Sequence, residues 1–131
     1  MKQTLFGILG VVSMVLAFAL PAFAQGPSVV STVPVNGATD VDPALGELSV
    51  TFSSEMEDGS WSWCMSDQGV FPSLAGDPSY TPDMRTNVLP VELQPGTTYV
   101  MWINCDNFMN FRDTQGNPAT PMRYSFTTSS Q

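Results

Sequence analysis

The sequence predicts an all-β domain, an antiparallel two-sheet sandwich of about seven strands. Three observations carry this. Eleven prolines and ten glycines break 131 residues into short runs. Those runs alternate apolar with polar residues or are rich in β-branched and aromatic types, and almost none shows a 3.6-residue apolar period. The stretch that remains after removal of an N-terminal leader is close to the ~100 residues of one such sandwich.

The leader is expected over residues 1–24. Lys2 supplies a positive start, and Leu5 to Leu20 is apolar without a charge. Pro21 then breaks the run, and Ala22-Phe23-Ala24 has the small-x-small form of a signal peptidase site. The apolar run is short against the ~20 residues of a membrane span. It is followed by acidic, turn-rich sequence. Cleavage after Ala24 leaves a single domain over residues 25–131, with no membrane span, in the periplasm or outside the cell. Loss of Lys2 leaves three arginines against twelve acidic residues, so the net charge moves from −8 to −9. A domain of that charge repels nucleic acid and anionic lipid. Cys64 and Cys105 enter an oxidising compartment, where they are candidates for a disulfide; two separate, partly buried thiols are the alternative.

The strands follow in order. Val29 to Val33 ends at Pro34, and Asn36-Gly37 marks a turn. Leu48 to Phe52 alternates strictly, so Leu48, Val50 and Phe52 should face inward. Trp61 to Met65 alternates again, with Trp61 and Trp63 on the core side. Gly69 to Pro82 holds three prolines and two glycines and reads as a long connection with a short edge segment near Phe71 or Tyr80. Val88 to Leu93 is a strand in which Pro90 suggests an edge or a bulge. Tyr99 to Cys105 should place Tyr99, Met101, Ile103 and Cys105 on one side. Tyr124 to Thr128 closes the domain.

Leu93-Gln94-Pro95-Gly96-Thr97-Thr98-Tyr99 sets a tyrosine at a strand start just after a Pro-Gly turn. That is the tyrosine corner of Greek-key sandwiches, with Leu93, Pro95, Gly96 and Tyr99 as its structural residues. Val29 to Val41, Leu48 to Met56, the corner, Asp113 to Pro118 and Tyr124 to Thr128 together resemble the bacterial Ig-like domains of the S-layer SbsA type. The resemblance implies an immunoglobulin-like sandwich serving as a spacer, adhesion or interaction module, without catalytic residues. The partner it implies is another exported protein or a cell-envelope component. The region from Asp58 to Asn87 departs from the pattern, being longer and richer in tryptophan.

Residue types narrow the chemistry further. The chain has no histidine, and the region after the leader has no lysine, which removes Ser-His, Cys-His and Ser-Lys mechanisms. Glu55, Glu57 and Asp58 form the one acidic group worth weighing for paired-carboxylate catalysis, and a solvated loop is the better reading. No cofactor is expected. The alternative function is a periplasmic ligand- or metal-binding protein. Asp106, Asn107, Asn110, Asp113 and Asn117 offer oxygen donors for calcium without EF-hand spacing. Copper enters by likeness to copper-resistance proteins of the CopC type. Met56, Met65, Met84, Met101, Met109 and Met122 supply thioethers, and these read better as packing than as ligands. The candidate binding residues are Trp102, facing outward on the strand from Tyr99, and Phe108, Phe111 and Arg112 on the acidic loop from Asp106 to Pro118; a loop that folds back and buries the three aromatics is the better reading.

Overall fold

The computed structural model describes residues 25–131; the leader expected over residues 1–24 lies outside the described residues. The described residues form two antiparallel sheets facing each other, with no helix among them. Of eight strands, five build the first sheet. β1 (Val29–Val33) pairs with β2 (Glu47–Phe52), and β2 pairs with β6 (Thr86–Glu92). The far flank of β6 is taken by two short pieces, β4 (Ser73–Leu74) and β5 (Ser79–Tyr80). The second sheet runs β3 (Trp63–Met65), β7 (Thr98–Ile103), β8 (Met122–Thr127).

Alternation builds the core as the period of a strand requires. Leu48, Val50 and Phe52 of β2 and Leu89 and Val91 of β6 are closed off from solvent on one side. Tyr99, Met101 and Ile103 of β7 meet them from the other, with Tyr124 and Phe126 of β8. Phe52 and Phe111 stack with centroids 5.1 Å apart, and Tyr99 and Phe126 at 5.3 Å. At the corner, Gly96 takes a φ of +59°, and the Gln94 N–H donates to the Tyr99 hydroxyl at 2.6 Å.

Four local expectations change. Pro90 does not mark an edge, since β6 is paired on both flanks. Its carbonyl accepts from Ala75 N–H at 3.0 Å, and Val91 N–H turns the other way to Gly46. The missing proline donor therefore falls on the outer flank, between β5, which pairs at Asn87 and Val88, and β4, which pairs at Val91 and Glu92. The run from Tyr99 stops at Ile103. Asn104 has a φ of +61°, so Cys105 leaves the strand and does not join the core face. Val100, expected outward, is buried beneath the Gly69-Val70 connection, and its N–H donates to the Val70 carbonyl at 3.1 Å. Trp61 and Trp63 are half-buried: they rest on the core but are not enclosed by it.

Candidate functional site

That half-burial has a geometric cause. β3 is three residues long and forms the edge of its sheet. On the facing sheet β4 supplies only two residues, so the sandwich stays open along this side. Trp61, Trp63, Phe71, Leu74, Leu89 and Phe108 line the resulting groove, of about 660 Å³. That is within the ~300–1,000 Å³ range of ordinary ligand sites. No charged side chain lines it among the described residues.

The groove has two walls. The inner one is the pair of tryptophans. Trp63 lies edge-on to Phe111, centroids 5.6 Å apart, and its indole N–H donates to Asn87 Oδ1 at 2.8 Å. The other half of that fully buried amide, Asn87 Nδ2, meets no partner among the described residues. Trp61 packs on Tyr80 at 6.2 Å, and the Tyr80 hydroxyl donates to the Ser60 carbonyl at 2.7 Å. Burial, then the negative charges of Asp58 and Glu57, push the Tyr80 hydroxyl well above the ordinary tyrosine range, so it stays a donor.

The outer wall is the loop after β7. Ser60 donates to the Asn110 carbonyl at 2.6 Å, and Asn110 N–H donates to Ser62 Oγ at 3.0 Å. A disulfide joins Cys64 to Cys105, with Cα atoms 6.3 Å apart. Cys105 and Phe108 exchange backbone bonds at 2.9 and 3.0 Å, making a tight hairpin with Asp106 and Asn107 at its tip. Strapped in this way, Phe108 stands 60% exposed at the rim.

The four candidate residues are not brought together. Phe108 belongs to the groove. Trp102 lies on the outer face of β7, in register with Cys64 and Arg123, and lines a neighbouring depression with Asp67 and Asp106. Phe111 is corrected to a core residue: it is 0% exposed and cannot present a surface. Arg112 makes a two-pronged ion pair with Glu57 at 2.9 and 3.0 Å, which occupies its guanidinium. Of the loop acids, Asp113 is likewise engaged, in building a turn. Asp113 Oδ1 accepts from the Gln115 and Asn117 N–H groups at 2.9 Å each. Among the described residues no three acidic, cysteine or histidine side chains gather as cation ligands. Of the methionines, Met56 and Met101 sit in the core and Met65 is 78% exposed.

Sequence reasoning missed Trp61, Trp63, Phe71 and Leu74 as lining residues. The usable signal was the proline- and glycine-rich run after β3, which leaves too little strand to cover the tryptophans.

The sandwich is shared with solved structures. A copper resistance protein from Escherichia coli, PcoC, superposes with a TM-score of 0.53 at 19% identity, over 77% of this chain and 98% of that one. Two structures of the S-layer protein SbsC give TM-scores of 0.47 and 0.49 at 16% and 17% identity, over 80% and 82% of this chain. This chain spans only 14% of either S-layer chain. No curated protein matches the sequence. The family model of the bacterial Ig-like domain matches residues 24–128, essentially everything the structure describes, and the chain belongs to that family.

Proposed function

We propose that this chain is an exported, non-catalytic Ig-like module that works by holding another protein of the cell envelope against its open side. The observation that carries this is the uncharged aromatic groove at the β3 edge. Aromatic side chains left open to solvent in an uncharged groove, on a domain of net charge −9, favour an interaction site. Catalysis has little to work with there, since among the described residues no titratable side chain lines the groove and Glu57 is committed to Arg112. The leader reading of residues 1–24 and the Cys64–Cys105 bond support export to an oxidising compartment. The S-layer type of Ig-like domain, suggested by the motifs from Val29 to Thr128, fits the same reading. Calcium and copper gain no support from the arrangement of Asp113, Asn117 or the buried methionines.

The test is site-directed photo-crosslinking in the source cells. A photoreactive residue at Phe108 should give a discrete adduct, and one at Thr39, exposed elsewhere on the domain, should not. The purified partner should then bind the wild-type domain and lose affinity for Phe108→Ala. Equal adducts from both positions, or none from either, would leave an inert spacer.

A further inference from the structure

The groove runs beside a free ladder edge, and the phase of that ladder is fixed. Asn104 N–H donates to the Ser62 carbonyl at 3.0 Å. In an antiparallel pair, residues alternate between bonding inward to the neighbour and pointing away. Ser62 and Cys64 therefore bond to β7, in the register Cys64↔Trp102. Trp63 and Met65 point their N–H and C=O groups to the open side. The same phase holds on β7, where Val100 N–H turns toward the β3 side to reach Val70.

Side chains and charge add two further constraints. Trp61, Phe71, Leu74 and Phe108 offer apolar contact along this edge. Past Met65 the groove meets the second depression, which shares Met65, Cys105 and Asn107 with it and adds the exposed carboxylates of Asp67 and Asp106. Neither depression is lined by an arginine among the described residues.

We propose that the open side binds an extended peptide segment of a partner protein, which adds to β3 as a further strand. Its alternate apolar side chains enter the groove, and a lysine or arginine at one end meets Asp67 and Asp106. Backbone pairing supplies affinity, while the groove and the two carboxylates supply selectivity. This rests on the reading of the groove as the docking surface and specifies its ligand.

The experiment uses the oxidised domain and a phage-displayed library of random peptides, each the ~5–6-residue length of an ordinary strand plus flanks. Selected peptides should alternate apolar positions and carry a basic residue at one end. With the best peptide bound, amide exchange at Trp63 and Met65 should slow by about tenfold or more. Cys64, already bonded to β7, should not change. Asp67→Asn with Asp106→Asn should weaken the peptide several-fold and remove the preference for a basic end. N-methylation of the peptide at alternate residues should abolish binding with side chains unaltered.

Binding without slowed exchange at Trp63 and Met65 overturns strand addition. A domain that binds the apolar dye bis-ANS in a Phe108-dependent way, yet selects no peptide, keeps the groove reading and loses this proposal. No dye binding and no Phe108 adduct in cells removes both. A dimer in sedimentation that Phe108→Asp dissociates replaces the peptide with a second copy of the chain.

Discussion

Asn104 and Phe111 are bonded reciprocally: the Phe111 N–H donates to Asn104 Oδ1 at 2.9 Å, and Asn104 Nδ2 donates back to the Phe111 carbonyl at 2.9 Å. A further bond runs from Nδ2 to the Ala119 carbonyl at 2.8 Å. The side-chain amide thus replaces a strand neighbour where the chain has turned left-handed and the ladder has ended. Asparagine tolerates that backbone region, and its amide has both a donor and an acceptor to offer.

Asn104→Ala leaves the Phe111 N–H and the Ala119 carbonyl buried without their partner. A loss of about 2–5 kcal/mol is expected from two such groups. Urea unfolding should show a lower midpoint with an unchanged slope. A loss below ~1 kcal/mol would mean that water reaches this site and the loop is looser than the bonds indicate.

Replacing Cys64 and Cys105 together by serine opens a loop that closes over a sequence separation of 41. Loop-closure entropy puts the cost at about 4 kcal/mol. The same variant should lose dye binding at the groove before it unfolds, because Phe108 is strapped to β3 by that bond. Two free thiols in the denatured, unreduced wild-type protein would refute the pairing.

Gly69 lies so close to Val100 that an added Cβ would overlap the Val100 Cγ2, its nearest neighbour, and stand 2.8 Å from the Val100 Cβ. Gly69→Ala should cost about 1–3 kcal/mol by overpacking. Adding Val100→Ala should return part of that, a coupling that a double-mutant cycle measures directly. Strict additivity would place the clash elsewhere.

The Glu57 carboxyl is held below the ordinary value of 4.5, first by the hydrogen bond from Arg112, against a smaller opposing desolvation. A depressed carboxyl contributes stability that is present above its unfolded value and lost as pH falls through the folded one. The melting temperature of wild type should therefore exceed that of Glu57→Gln at neutral pH, and the two should converge in acid below the usual glutamate range. Salt should shrink the neutral-pH difference, since both partners are in contact with solvent. A difference that persists in strong acid would assign it to packing.

Much of the architecture is legible in local pattern. Leu48 to Phe52 alternates and is buried as it alternates, and Leu93 to Tyr99 carries its turn and its anchoring hydroxyl within one short stretch. The site is less legible because it depends on what fails to cover it. Alternation puts Trp61 and Trp63 on the core side, and whether Trp63 is enclosed depends on the length of β4, a distant element. Phe108 and Phe111 are three positions apart and look alike in sequence, yet Asn104 draws one into the core and the disulfide hairpin leaves the other at the rim. Pro90 misleads for a related reason. Proline is barred only from positions whose donor is needed, and β6 has one such vacancy inside a paired strand.

That vacancy also bears on how one margin of the sheet meets other chains. A long, flat sheet margin is a template on which other chains stack, and continuous backbone pairing is what propagates an aggregate. Beyond β6 the margin is two dipeptide-length pieces separated at Pro90, so a recruited strand would find no unbroken run of donors to follow. This margin is a poor template for stacking, and the β3 edge, at three residues, is as short a one.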